Sequence, residues 1–271
     1  ALGFVFITGV SKFTRASVFS DLNHLIDITM SEPYADMLGY TQNEIETCFN
    51  EYIMKFAEKN RLTKTQALEK FRLQYNGYRF SERDITVYNP FSVLRAFFDL
   101  KLKNYWFESG TPTFLVNLLK EKQYNMANIE NMEVDEDIFS TYELENLCPE
   151  ALLFQTGYLT IKDVDDELYT LSYPNNEVKN SFLKHLLFSF SREMEGSERS
   201  KFKRLSKYLK QEKFDDFFET ITSVFGSIPY TLNTQRDEAY FHTIFYLMVS
   251  ASGADAKSEI LTSRGRIDLV V

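Results

Sequence analysis

The most restrictive stretch of this chain is its last, residues 238–271. Phe241, Ile244, Phe245, Met248 and Ala251 recur at helical spacing and predict a helix with one packed face. Residues 257–262 (Lys-Ser-Glu-Ile-Leu-Thr) predict a short strand, and Arg264-Gly265-Arg266 a turn. The strand that follows, Ile267-Asp268-Leu269-Val270-Val271, is almost wholly apolar, so burial on both faces is expected. It carries one carboxylate, Asp268. A buried, unpaired Asp is costly, so Asp268 needs a metal, a hydrogen-bond donor, or a cation such as Arg264 or Arg266 across the turn. Such a strand also needs sheet neighbours, and the expectation is that further chain follows residue 271.

Composition narrows the class. With 271 residues, 44% hydrophobic, 25 Phe and 16 Tyr but only ten Gly and six Pro, the chain has enough apolar side chains for real cores. The net charge of −9 argues against tight, non-specific DNA binding by the chain as a whole. Cys48 and Cys148 stand far apart, and His24, His185 and His242 have no zinc-site spacing. This fits a reduced, cytoplasmic protein. No apolar run reaches membrane-span length. The first ten residues are apolar without a basic n-region, and no initiator Met precedes them, so the front end reads as cut.

Residues 2–8 (Leu-Gly-Phe-Val-Phe-Ile-Thr), closed by Gly9, have the pattern of a central parallel strand. Ligands of open α/β sheets lie beyond the carboxyl ends of strands. Thr8 is therefore either a phosphate- or water-contacting hydroxyl or a cap on the strand's turn.

The middle is punctuated by caps. Thr41 with Glu44, and Thr63 with Gln66, form capping boxes that predict helices over 41–59 and 63–75. Asn76-Gly77 ends the second. Asn89-Pro90 opens a helix over 90–101, and Thr111-Pro112 one over 112–121. Pro149 starts a short apolar helix that Gly157 stops. Residues 158–164 and 167–173 alternate as strands about an Asp165-Asp166 turn. Helix then hairpin reads as a winged-helix module. Its wing carries Asp163, Asp165, Asp166 and Glu167 against Lys162, a charge that opposes a phosphate backbone, so a packing or partner-binding wing is expected. Asn175 and Asn176 cap a helix over 177–194. Lys201, Lys203, Arg204 and Lys207 form the one locally basic run, either a solvated helix face or a nucleic-acid contact. Phe214, Phe217, Phe218, Ile221 and Phe225 predict another amphipathic helix, and residues 227–233 a linker. Arg79 is either a phosphate-sensing arginine or an ordinary ion-paired one.

The wording and order of several segments carry a resemblance. Phe6-Ile7-Thr8-Gly9-Val10-Ser11-Lys12-Phe13, Gly39-Tyr40-Thr41-Gln42-Asn43-Glu44, Tyr75-Asn76-Gly77-Tyr78-Arg79-Phe80, Tyr88-Asn89-Pro90-Phe91-Ser92 and Tyr105-Trp106-Phe107-Glu108-Ser109-Gly110 closely resemble the AAA-ATPase-like proteins of gut and anaerobic bacteria. Those proteins join a P-loop ATPase domain to a helical and winged-helix middle and a C-terminal PD-(D/E)XK nuclease-like domain. The resemblance implies an α+β, mainly helical chain. Residues 1–40 would be a remnant of the ATPase α/β sheet, 41–130 a helical region, 131–230 a winged-helix-like and helical region, and 231–271 the start of the nuclease core. It implies Thr8 as a nucleotide-sensing residue, beside Arg79 as the candidate phosphate-sensing arginine or an ordinary surface or salt-bridged one, and Asp268 with Glu238 as catalytic metal ligands. Mg²⁺ or Mn²⁺ and ATP would be the cofactors of the full-length protein, with neither expected on this chain alone. No Gly-x-x-x-x-Gly-Lys-Ser/Thr and no Glu-x-Lys strand occurs here, so both would lie outside residues 1–271. DNA, a protein partner or a second copy are the implied partners, with no membrane. The competing expectation is a non-catalytic regulatory or interaction module.

Overall fold

The computed structural model describes residues 4–9, 26–109, 113–122, 124, 129–140, 148–190, 204–205, 207–226, 238–251, 256–262 and 265–270. The fold is α+β and mainly helical. The chain divides into two compact units, Ala1–Thr111 with Asn131–Val178, and Pro112–Glu130 with Lys179–Val271.

The first unit begins with local signals that form as read. In α1 (Gln42–Thr47), the Thr41 hydroxyl accepts from the Glu44 amide, and the Glu44 carboxylate accepts from the Thr41 amide at 2.8 Å. In α3 (Lys64–Tyr75), Thr63 and Gln66 exchange the same two bonds, at 3.2 and 2.9 Å. In α4 (Pro90–Asp99), the Asn89 side chain accepts from the Ser92 amide at 3.2 Å. Each bond satisfies an amide that a helix start would leave orphaned.

The helix expected over 41–59 is two, α1 and α2 (Asn50–Asn60), broken at Cys48 and Phe49. The break turns Phe49 inward, with its ring 4.9 Å from Tyr40 and 5.5 Å from Phe97. Burying that ring offsets the lost helical bonds. Around it Ile45, Ile53, Phe56, Phe71, Tyr75, Tyr88, Val93 and Tyr105 form the core of α1–α4. Phe71 stacks on Phe97 at 4.9 Å and meets the edge of Phe56 at the same distance.

The rest of the unit is a three-stranded antiparallel sheet, with β1 (Met132–Asp135), β2 (Thr160–Asp165) and β3 (Leu168–Ser172) in the order β1-β3-β2. Between β1 and β2 come α6 (Asp137–Ser140) and α7 (Pro149–Gln155); α5 belongs to the second unit. The turn between β2 and β3 places Asp166 at φ 52°. Gly157, just after α7, has φ 80°. Of residues 2–8, expected as a buried central strand, the described ones, 4–8, carry no regular secondary structure and are exposed. A parallel strand needs neighbours for its amides and carbonyls, and neither described sheet includes this segment.

Gly77 holds the two parts of this unit together. Its φ is 112°, and a Cβ there would stand 2.0 Å from the Pro174 carbonyl oxygen. Only a residue without a side chain lets the 76–80 loop lie against the chain that leaves β3.

In the second unit, α5 (Thr113–Glu121) buries Leu115, Val116, Leu118 and Leu119. Helix α8 (Asn176–Phe190) supplies its first three residues to the first unit and the remainder to this one. Lys179 pairs with Glu130 at 2.8 Å. Residues 204–205 and 207–210 are helical, with Leu205 buried and Arg204 and Lys207 exposed, as on a solvated face. Helix α9 (Phe214–Gly226) buries Phe217, Ile221 and Val224. Helix α10 (Glu238–Ala251) buries Ile244 and Met248 as expected, and also Tyr246, Leu247 and Val249, while Phe241 is partly exposed. The hairpin β4 (Lys257–Thr262) and β5 (Gly265–Val270) ends the unit. The expected linker at 227–233 lies outside the described residues. No described helix is long and apolar enough to cross a membrane.

Two outcomes test this account. Gly77→Ala is expected to lower stability by more than about 2 kcal/mol in urea unfolding, since it combines left-handed strain with a backbone clash. Gly157→Ala meets only the Trp106 and Tyr78 rings, at 3.6 and 3.7 Å, and costs about 1 kcal/mol from strain. Thr41→Ala costs about 1 kcal/mol at neutral pH. Its hydrogen bonds hold the Glu44 carboxyl below the usual carboxylate range. Part of that cost is therefore complete above the unfolded Glu44 pKa of about 4.3 and fades as pH falls through the lower folded value. The difference between wild type and variant should shrink at pH 3.

Candidate functional site

Four residues carry the functional expectations: Thr8 and Arg79 belong to the first unit, Glu238 and Asp268 to the second. Thr8 lies in the exposed segment 4–9, with no sheet beside it. Arg79 is buried in the first unit, at 6% exposure. Glu238 is the first residue of α10, and Asp268 lies in β5, both in the second unit. The side chains of Glu238 and Asp268 fall outside the described part of the structure.

Arg79 is fastened to main chain. Its Nε donates to the Ser81 carbonyl at 3.0 Å, Nη1 to that of Lys162 at 3.4 Å, and Nη2 to that of Glu82. Its own amide donates to the Thr160 hydroxyl at 2.8 Å, and that hydroxyl donates back to the Arg79 carbonyl. The carboxylate of Asp84, almost fully exposed, stands 3.9 Å away. A guanidinium makes its best bonds in a fixed planar fork, and here that fork ties residues 79–82 to β2. Nearby, the Tyr169 hydroxyl donates to Glu82 at 2.6 Å, and the Lys162 ammonium donates to the Pro174 carbonyl at 3.2 Å. Burial raises the Tyr78 hydroxyl pKa well above that of free tyrosine. Glu177, fully buried in the first turn of α8, accepts the Trp106 amide at 3.0 Å. Its place at a helix N-terminus favours a carboxylate.

Around Asp268 the strand register is the useful geometry. β4 and β5 pair antiparallel, with Lys257 opposite Val270, Ser258 opposite Leu269, Ile260 opposite Ile267, and Leu261 opposite Arg266. Among the described residues β5 has a single pairing partner, and Val270 is 39% exposed.

No group of three or more His, Cys, Asp or Glu side chains that could hold a metal occurs among the described residues. The β2–β3 turn has a charge of its own. Asp163, Asp165, Asp166 and Glu167 are exposed about the β2–β3 turn, and Asp135, Glu136 and Asp137 are exposed where β1 ends beside the start of β3. Helix α7, by contrast, buries Pro149, Ala151, Leu152 and Leu153.

No family model matches the chain, and no solved structure matches it. Over 276 aligned residues it is 35% identical to a protein of Azotobacter chroococcum mcd 1 described as an uncharacterized protein in the vnfD 5′ region. The match covers 99% of this chain and 51% of that protein, so the chain spans about half the length of the curated relative it matches.

The Arg79 geometry is directly measurable. Arg79→Ala leaves three carbonyls without their donor and is expected to cost about 3 kcal/mol of unfolding free energy. Arg79→Lys recovers only part of that, because an ammonium cannot reproduce the planar fork.

Proposed function

We propose that residues 238–270 open a metal-dependent phosphodiesterase core of the PD-(D/E)XK kind, within a longer AAA-ATPase-like protein. The observation that carries this reading is the position of Asp268, in the second strand of a hairpin that follows a helix. Helix, strand, then strand with Asp is the order the resemblance implies. Asp268 is the first ligand of the divalent cation, and Glu238 the acidic residue contributed by the preceding helix. Both proposed ligands are carboxylates, the donors that Mg²⁺ and Mn²⁺ prefer. A bound Mg²⁺ or Mn²⁺ would supply an activated water and neutralise charge developing on a phosphodiester. In the longer protein, ATP would act through the domain to which residues 1–40 belong, with Thr8 as its polar sensor.

A second reading has its own observation. The order β1, α6, α7, β2, β3, with β1 and β2 on either side of β3, supports a winged-helix module. Its helix α7 is mostly buried and its wing is acidic. A module of that charge suits a protein partner better than a nucleic-acid backbone. On this reading the middle of the chain is a non-catalytic coupling module, whether or not the C-terminal core hydrolyses DNA. A cytoplasmic location accords with both readings.

The test is plasmid cleavage by the longer protein, titrated with Mg²⁺ and then Mn²⁺, with and without ATP. Metal-dependent cleavage is expected, falling by at least about a hundredfold in Asp268→Ala, as for loss of a principal metal ligand. Absence of cleavage in wild type across both titrations would leave the coupling module as the function.

A further inference from the structure

Helix α4 is apolar on both sides. It packs by Ser92, Val93, Ala96 and Phe97, all buried. Phe91, Leu94 and Phe98 recur at i, i+3 and i+7, which sets them in one stripe on the other side. All three are exposed, Phe98 at 81%. A helix with apolar residues all round belongs in an interior, yet this stripe is open. It is also edged with positive charge. The Arg95 guanidinium stands 5.9 Å from the centroid of the Phe98 ring, and Lys101 and Lys103 follow the helix, both exposed. The Asn60 side chain donates to the Leu100 carbonyl at 3.3 Å, which brings the end of α2, with the exposed Lys59 and Arg61, to the same place. The acids of these two helix ends are Glu58 and Asp99, and Asp99 is paired with Lys103 at 3.3 Å.

The opposite character occurs on the sheet of the same unit. Leu168, at 47% exposure, lies in the central strand and pairs with Asp135 on one side and Asp165 on the other. Asp166 and Glu167 in the turn, and Glu136 beyond β1, extend the rim of exposed carboxylates. One open leucine rimmed by acids thus matches an open apolar stripe rimmed by bases. Opposite potentials decide which surfaces meet and speed their encounter, and the apolar centres gain by leaving water. Both surfaces are exposed, so neither covers the other within one chain.

We propose that the occupant of the α4 stripe is a second copy of this chain: the β2–β3 turn of one copy, with Leu168 at its centre, docks on Phe91, Leu94 and Phe98 of the next. The contact joins two different surfaces, so the association is head-to-tail. Charge selects this arrangement. Copies with a net charge of −9 repel one another as wholes, and the basic end of α4 is where an acidic turn finds attraction instead. The proposal rests on the partner-binding reading of the β2–β3 turn, to which it gives a partner, and is independent of the metal-dependent reading.

The test is sedimentation velocity of the whole 271-residue chain over a concentration series, at low and at high NaCl. Wild type is expected to self-associate reversibly, and less as salt rises. Phe98→Asp breaks the stripe, and the double variant Asp165→Lys, Glu167→Lys breaks the turn. Each is expected to weaken association about tenfold or more, with Phe218→Ser, an exposed ring of the other unit, near wild type. All variants are checked for an unchanged melting profile. Should Phe98→Asp shift it, the double variant Arg95→Glu, Lys101→Glu takes its place with the same expectation. Mixing decides the geometry. The stripe variant keeps its turn and the turn variant keeps its stripe, so together they are expected to form a one-to-one heterodimer with an affinity within a few-fold of the wild-type contact. Variants that fail to pair on mixing would overturn the proposal. Association that survives in the turn variant would overturn it in favour of stripe against stripe. Wild type that stays monomeric up to about 1 mM would overturn the second copy as occupant, and leave the partner-binding reading with a basic protein of another kind.

Discussion

The first unit depends on one buried cation. The Arg79 guanidinium has no bulk water to lean on, so it takes its hydrogen bonds from carbonyls of the loop it belongs to and of a strand more than eighty residues away. That single fork, with the reciprocal Arg79–Thr160 bonds, joins the end of the helical layer to the sheet. Gly77 makes the approach feasible, because its missing side chain leaves room for the Pro174 carbonyl. The two devices work on the same five-residue loop from opposite directions: one pulls it onto β2, the other lets it come close enough.

The hairpin in the second unit depends on register instead. Strands β4 and β5 pair antiparallel from Lys257 opposite Val270 to Thr262 opposite Gly265, and a slip of one residue would move every residue of β5, Asp268 among them, to the other face of the hairpin.

Much of this was legible from sequence, and what was legible was local. The Thr41–Glu44 and Thr63–Gln66 boxes and the Asn89-Pro90 start form as read, because each closes within four residues and needs no tertiary partner. The break at Phe49 was not legible, since its reason is the rings of Tyr40 and Phe97. Strand β1 escaped notice because four alternating residues, Met-Glu-Val-Asp, are a strand only beside β3. Residues 4–9 read as a strand from their run of apolar side chains, a pattern that says nothing about whether a sheet is there to receive it. The salt-bridged reading of Arg79 agrees with its contact to Asp84, whereas its bonds to carbonyls are not legible, since carbonyl acceptors leave no mark in a sequence. At the candidate site, Asp268 stands out by its apolar neighbours in the sequence.

The acidic tip of the three-stranded sheet has a kinetic meaning beyond its part in partner choice. Seven exposed carboxylates, Asp135, Glu136, Asp137, Asp163, Asp165, Asp166 and Glu167, cluster where β1 ends and β2 turns into β3. A polyanion nearing this end meets a repulsive field that reaches about 8–10 Å at physiological ionic strength, while a cationic surface is drawn in and oriented before contact. Added salt would then slow a basic partner's arrival at the tip and hasten an acidic one's. The sign of a molecule's charge thus biases its approach to the β2–β3 turn before any side chain touches.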